Sequence, residues 1–205
     1  MSSLAVVFDQ DGTLINTFVP AMRAYSEATG RRITYEELRP VAHLGAARNL
    51  LSALMGRLAT DADDDVFHEA LAREVARIEP YPGIPELIAA LAEAGIPVGV
   101  ATNSDSRSAG IVLAAHGLDL RLATVVTVDR AGAPKPDPTM LLLAAHELGV
   151  PADRMVFVGD SPADMRAARG CGARAVAAGW GQQAGDITDH DAWAATPADV
   201  LALLG

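Results

Sequence analysis

Two aspartates, Asp9 and Asp11, flank a single residue in Phe8-Asp9-Gln10-Asp11-Gly12-Thr13. Carboxylates this close repel each other, so the pair asks for a positive partner or a retained proton. A hard divalent cation combined with general acid–base work would use such a pair. An Asp-Gly turn after a strand has the same spelling, so the pair alone decides nothing. Three further polar groups keep it company: Thr102-Asn103-Ser104, Lys135 between Pro134 and Pro136, and Gly159-Asp160-Ser161-Pro162-Ala163-Asp164. Each has a plain reading by itself, as a helix cap or a solvated lysine. Together they assemble carboxylates, hydroxyls and one ammonium, the groups that handle an anion and a cation at once.

Each group follows a short apolar run. Leu4-Ala5-Val6-Val7 reads as a buried parallel strand, and in extended chain Asp9 and Asp11 leave on the same side. Gly12 then permits a sharp turn. Further strands are predicted at 97–101, 124–128, 155–158 and 173–177, with helices at 86–93, 105–115, 137–148, 162–169 and 197–204. This alternation predicts an α/β fold, a Rossmann-like open parallel sheet with helices on both faces. In such sheets ligands bind beyond the carboxyl ends of the strands, where all four polar groups fall.

The stretch 17–81 carries no strand pattern. Helices are predicted at 19–29, ended by Gly30; after a capping box of Thr34 and Glu37; at 46–55, with Leu50, Leu51 and Leu54; and after the acidic run 61–65 as far as Ile78. It reads as an inserted all-helical cap domain, with 1–16 and 82–205 forming the core. Both crossings lie in turn-forming segments, as a two-stranded hinge requires.

Composition narrows the function classes. The chain has 205 residues, half of them hydrophobic, enough for one core with a modest insertion. A net charge of −10 argues against nucleic acid and against an anionic membrane surface. An anionic small substrate would need a local cation or lysine. Cys171 is the one cysteine, so no disulfide framework exists, which fits a cytoplasmic location; it reads as a small packed thiol. No run is long enough to cross a bilayer and no signal-peptide pattern opens the chain. No GxGxxG or P-loop motif is present, and the five histidines lack zinc spacing.

In these motifs the chain resembles the haloacid dehalogenase superfamily, in its phosphatase branch with a helical cap, of the phosphoglycolate phosphatase-like kind. Asp-Gln-Asp-Gly-Thr, Thr102-Asn103, Lys135-Pro136 and Gly159-Asp160-Ser161-Pro162-Ala163-Asp164 match the family's four motifs. The resemblance implies a Mg²⁺-dependent phosphatase acting on a small phosphate monoester through an aspartyl-phosphate. It implies Asp9 as nucleophile, Asp11 as general acid and then base, and Thr102 and Asn103 as phosphoryl contacts beside Gly12. Lys135 would offset the anionic charge. Asp9, the Asp11 carbonyl and Asp160 would hold Mg²⁺, with Asp164 as ligand or support. A sugar-phosphate mutase of the same superfamily, or a non-catalytic protein on this scaffold, is the alternative; the region 19–22 lacks the mutase's cap-side histidine, and Asp11 argues against a dehalogenase.

The cap would choose the substrate. Arg23, His43, Arg48 and Asn49 are its candidates, with Arg48, just after the small turn Gly45-Ala46-Ala47, the first choice for contacting the leaving group. Trp180 would border the site or pack beside it.

Overall fold

The computed structural model describes residues 4–204, the side chain of His43 excepted. Six parallel strands form one sheet in the order β3-β2-β1-β4-β5-β6. They are β1 (Ala5–Phe8), β2 (Val98–Thr102), β3 (Thr124–Thr127), β4 (Met155–Gly159), β5 (Arg174–Ala178) and β6 (Ala192–Ala194). β1 lies between β2 and β4, with Phe8 opposite Val100 on one side and Val158 on the other. Its four residues are all buried, as an apolar strand covered on both faces must be.

Alternation along the strands divides the core in two. Val6, Phe8, Val98, Val100, Val156 and Val158 face helices α5 (Ile84–Glu93), α6 (Ser106–Ala114) and α10 (Pro197–Ala202). Ala5, Val7, Ala101, Val126 and Phe157 face α8 (Thr139–Leu148) and α9 (Pro162–Cys171). The chain is thus α/β with helices on both faces, as the alternation predicts. β6 is a difference: Ala-Trp-Ala is too short to carry a period, and pairing with β5 makes it a strand. A second difference is the four-residue helix α7 (Val128–Ala131), which begins where β3 was expected to continue.

Between β1 and α5 stand four helices: α1 (Phe18–Thr29), α2 (Tyr35–Leu38), α3 (Ala47–Met55) and α4 (Asp61–Val75). A 3₁₀ segment, Arg39–Leu44, joins α2 to α3. The Thr34–Glu37 box is present, with the Thr34 N–H donating to Glu37 at 3.0 Å. The acidic run is itself the first turn of α4, not a prelude to it. Thr60 caps that helix and its N–H donates to Asp63 at 2.8 Å, so the aspartates face the unsatisfied N–H end. The chain enters and leaves this helical stretch side by side: Ile15 bridges Pro80 in antiparallel fashion, and the Tyr81 N–H donates to the Leu14 carbonyl at 2.9 Å.

No described helix is long and apolar enough to cross a membrane. Cys171 is half-buried, and its thiol contacts the Ala168 carbonyl.

Candidate active site

The strand ends of β1, β2 and β4 and the loop after β3 converge on one point. Asp9 sits just beyond β1, its N–H donating to the Val158 carbonyl at 2.8 Å. Lys135 arrives from the loop after β3. Its ammonium donates to Asp9 Oδ1 at 2.6 Å and to the Ala101 carbonyl at 2.9 Å, and stands 2.7 Å from Asp164 Oδ1. Phe157 lies beneath it, ring centre 5.2 Å away. Lys135 is 4 % exposed. It is also the single lysine of the chain, a signal in the sequence that marks it from the fifteen arginines.

Asn103 takes an unexpected part. Its Oδ1 accepts from the Lys135 N–H at 2.7 Å and its Nδ2 donates to the Lys135 carbonyl at 3.3 Å. The amide is therefore a clamp on the lysine's backbone, and its hydrogen bonds go there instead of to an open phosphoryl position. Asp11, in turn, is held by three residues. Thr17 donates to Oδ1 at 2.6 Å, Ser104 to Oδ2 at 2.7 Å, and Gln10 to both oxygens at 3.2 Å. Thr102 adds a longer contact to Oδ2 at 3.3 Å. None of Gln10, Thr17 or Ser104 stood out by type, though Ser104 follows directly on the Thr-Asn pair.

Asp160 and Asp164 come from the β4 end. Asp164 closes the capping box of α9, accepting from the Ser161 N–H and hydroxyl through Oδ2, which leaves Oδ1 for Lys135. Asp160 accepts from the Gln183 N–H at 3.1 Å. Two glycines make room for it. A Cβ at Gly12, where φ is +99°, would lie 2.6 Å from Asp160 Oδ2, and one at Gly181 would lie 2.1 Å from Asp160 Cβ.

Asp9, Asp160 and Asp164 each offer an oxygen within 4.8 Å of the others, and all three are buried. One ammonium cannot balance three carboxylates. Burial drives Asp9 well above the ordinary carboxylate range; Lys135 opposes this, while Asp164, Asp160 and Asp11 add to it. Burial and then Asp164 push Asp160 up to about 6, against the Gln183 N–H and Lys135. Burial disfavours the Lys135 ammonium, but Asp164 and Asp9 outweigh that and hold its pKa above the usual value. The cluster is short of positive charge, and its donors are all hard oxygens. These residues fit a divalent cation.

A cavity of about 670 Å³ opens from this point into the helical stretch. Asp9, Asp11, Gly12, Thr102, Asn103, Lys135, Asp160 and Asp164 line it, so the eight expected core positions share one site. The expected cap contacts fare differently. Arg48 does not line the cavity; its guanidinium pairs with the exposed Asp61 at the start of α4, because α3 and α4 pack side by side there. Arg23 pairs with Glu74, and Asn49 donates to the Leu44 carbonyl. The His43 side chain lies outside the described residues. Trp180 donates to the Thr13 carbonyl at 2.9 Å and ties down the loop after β1.

The helical stretch meets α6 around Asp105, which caps that helix. It accepts from the Ser108 N–H and, across the interface, from the Ala47 N–H of α3, both at 2.9 Å. His68 of α4 is buried against it, with Nε2 3.4 Å from Asp105 and 3.1 Å from the Ser108 hydroxyl. Nearby, Gly45 brings its backbone against Asn103; a Cβ there would stand 3.2 Å from the Asn103 carbonyl.

The family model of haloacid dehalogenase-like hydrolases matches residues 4–172. The chain belongs to that family. Among curated relatives, a phosphoglycolate phosphatase of Xanthomonas campestris is 34 % identical, covering 96 % of this chain and 90 % of its own. An N-acetylmuramic acid 6-phosphate phosphatase of Pseudomonas aeruginosa is also 34 % identical, over 86 % of this chain and 82 % of its own. Among solved structures, CbbY from Rhodobacter sphaeroides in complex with phosphate superposes with a TM-score of 0.85 at 25 % identity, covering 98 % of this chain and 96 % of that one.

Proposed function

We propose that this haloacid dehalogenase-like hydrolase is a phosphatase that cleaves small phosphate monoesters with Mg²⁺ and carries the phosphoryl group transiently on Asp9. The observation that carries the reading is the pairing of two differently held carboxylates. Asp9 is gripped by Lys135, while Asp11 is set by Thr17, Ser104 and Gln10. That difference supports Asp9 as the attacking group and Asp11 as the group that moves a proton. The curated relatives support a phosphatase, yet two of them at the same identity bear different substrate names. Similarity alone therefore does not choose the ester.

In the first step an Asp9 oxygen bonds to phosphorus as the bond to the ester oxygen breaks. Asp11 gives its proton to that oxygen, which departs as the alcohol. In the second step Asp11, now a carboxylate, takes a proton from water, and the water oxygen displaces Asp9 to release inorganic phosphate. Lys135 offsets the charge that builds on the phosphoryl oxygens. Asn103 acts by fixing Lys135, and Thr102 and Gly12 border the space beside Asp9. Asp9, Asp160, Asp164 and the Asp11 carbonyl would hold Mg²⁺, which in that position lowers the repulsion between carboxylate and phosphate. Residues 17–81 act as a cap domain that shuts water out during the first step.

Asp9→Asn tests the mechanism. Hydrolysis of phenyl phosphate should fall on the order of 10⁴-fold or more, since the amide cannot form the acyl-phosphate. Circular dichroism and melting should stay close to the parent. Substantial turnover in a clean preparation would rule out Asp9 as the nucleophile.

A further inference from the structure

The residues from Thr102 to Asp105 run off the end of β2, and each holds a different part of the molecule. Thr102 and Ser104 donate to Asp11, at 3.3 and 2.7 Å, and Asn103 grips the Lys135 backbone at both its N–H and its carbonyl. Asp105 is turned to the helical stretch. Its Oδ1 accepts from the Ser108 N–H and caps α6, while its Oδ2 accepts from the Ala47 N–H of α3. A helix cap needs only one of those oxygens. Burial alone would raise the Asp105 carboxyl, but hydrogen bonds from His68, Ser108 and Ala47 hold it below the usual carboxylate range, so it stays a charged acceptor.

Other contacts join the same two segments. Gly45 brings its backbone against Val128 and the Asn103 carbonyl, and a Cβ there would stand 3.1 and 3.2 Å from them. From α4, Asp65 pairs with Arg107 of α6 at 2.7 Å. The turn 45–47 thus rests on the segment 103–105. That segment has little freedom of its own. The Ser104 N–H donates to the Thr102 hydroxyl at 3.0 Å, and the Ser104 carbonyl accepts from the Val128 N–H at 3.2 Å. A shift at Asp105 is therefore passed to Ser104 and Asn103, its immediate neighbours.

We propose that Asp105 is a positioning residue: by accepting the Ala47 N–H it lets the docked helical stretch set Asn103 and Ser104, and through them Lys135 and Asp11. The proposal rests on the phosphatase reading above. Undocking loosens the two side chains that aim the ammonium and the acid–base carboxylate, and misplacement of such groups is costly in rate. Turnover is in this way tied to a covered site. The coupling is reciprocal, so an anion held at the catalytic groups strengthens the Ala47–Asp105 contact.

Two measurements test this. Hydrogen exchange of the Ala47 N–H is followed in the full chain with Mg²⁺, with and without inorganic phosphate at a concentration that saturates its inhibition of phenyl phosphate hydrolysis. The Tyr81 N–H, bonded to Leu14 at the base of the insert, is the reference. Phosphate should slow exchange at Ala47 about five- to tenfold and leave Tyr81 unchanged. The second measurement is steady-state kinetics of Asp105→Asn and Asp105→Ser. Either residue can still cap α6, but asparagine turns an NH₂ toward Ala47 and serine is too short to reach it. Each should lower kcat for phenyl phosphate by about ten- to a hundredfold with little change in KM, whereas a mere helix cap would leave kcat alone. Parental kcat in either folded variant, or exchange at Ala47 indifferent to phosphate, would overturn this proposal and leave the phosphatase standing. No turnover of any ester by the parent would overturn both.

Discussion

At the residue scale the site depends on how its two carboxylates and its lysine are held. Lys135 meets three oxygens at once, on Asp9, Asp164 and Ala101. An ammonium is a compact point charge that can do this; a planar guanidinium is larger and forked. Lys135→Arg should therefore lower kcat by about 100-fold or more, close to the loss in Lys135→Met, and steady-state kinetics on phenyl phosphate would show it. Recovery of most activity in the arginine variant would mean that charge alone matters there. Ser104→Ala and Thr17→Val each remove one donor from Asp11 in the carboxylate form that takes the proton of water in the second step, which costs about 1.5–3 kcal/mol for a charged acceptor. Each should reduce kcat by roughly ten- to a hundredfold with little change in KM. Asp9, Asp11, Lys135, Asp160 and Asp164 were legible because each follows an apolar strand. Thr17 and Ser104 were not, because a hydroxyl beside a turn reads as a cap. The pairing of Arg48 is hidden for a related reason: its position at a helix start is local, whereas its contact with Asp61 depends on how two helices pack.

At the element scale the contact between α4 and α6 carries a titratable link. His68 faces Asp64 of its own helix and Asp105 across the interface, with Arg107 and Tyr25 close by. Burial lowers its pKa, but the hydrogen bonds to Asp105 and Asp64 more than reverse this, so the net shift is upward. A raised folded pKa means that the stabilisation is complete below the unfolded value, about 6.5 for histidine, and is lost as pH rises through the folded value. The melting-temperature advantage of the parent over His68→Gln should thus be largest near pH 6 and shrink toward pH 9. A constant gap across that range would show that His68 acts by packing alone. Asp105→Ala removes an acceptor shared by the Ala47 and Ser108 N–H groups and should cost about 2 kcal/mol, a drop of roughly 4–8 °C by calorimetry. Most elements were legible here, since their periods are strong. β6 was not, because its three residues carry no period and its strand character comes from β5.

At the scale of the whole molecule the excess of buried negative charge is what a bound cation would relieve. Three buried carboxylates repel each other in the metal-free protein, and a cation bound only by the folded state adds RT ln(1 + [L]/Kd). Mg²⁺ at about a hundred times its Kd should raise the melting temperature by an amount equivalent to ~2.7 kcal/mol, and a chelator should remove both that gain and turnover. Asp160→Asn should weaken the thermal response as well as the activity. A melting curve indifferent to Mg²⁺ in the parent would count against the cluster as a metal site.

The bridge between Ile15 and Pro80 has a consequence for how this chain tolerates change in length. Everything between those two residues is a loop already closed at its base. Lengthening such a loop adds closure entropy only logarithmically, about 0.6 kcal/mol for each doubling. A few flexible residues spliced into the exposed connection between α3 and α4 should leave the sheet register and the strand-end aspartates where they are. The sheet is thereby insulated from what is written into its insert, and the helices can be resized or redrawn without rewriting the strands that carry the chemistry.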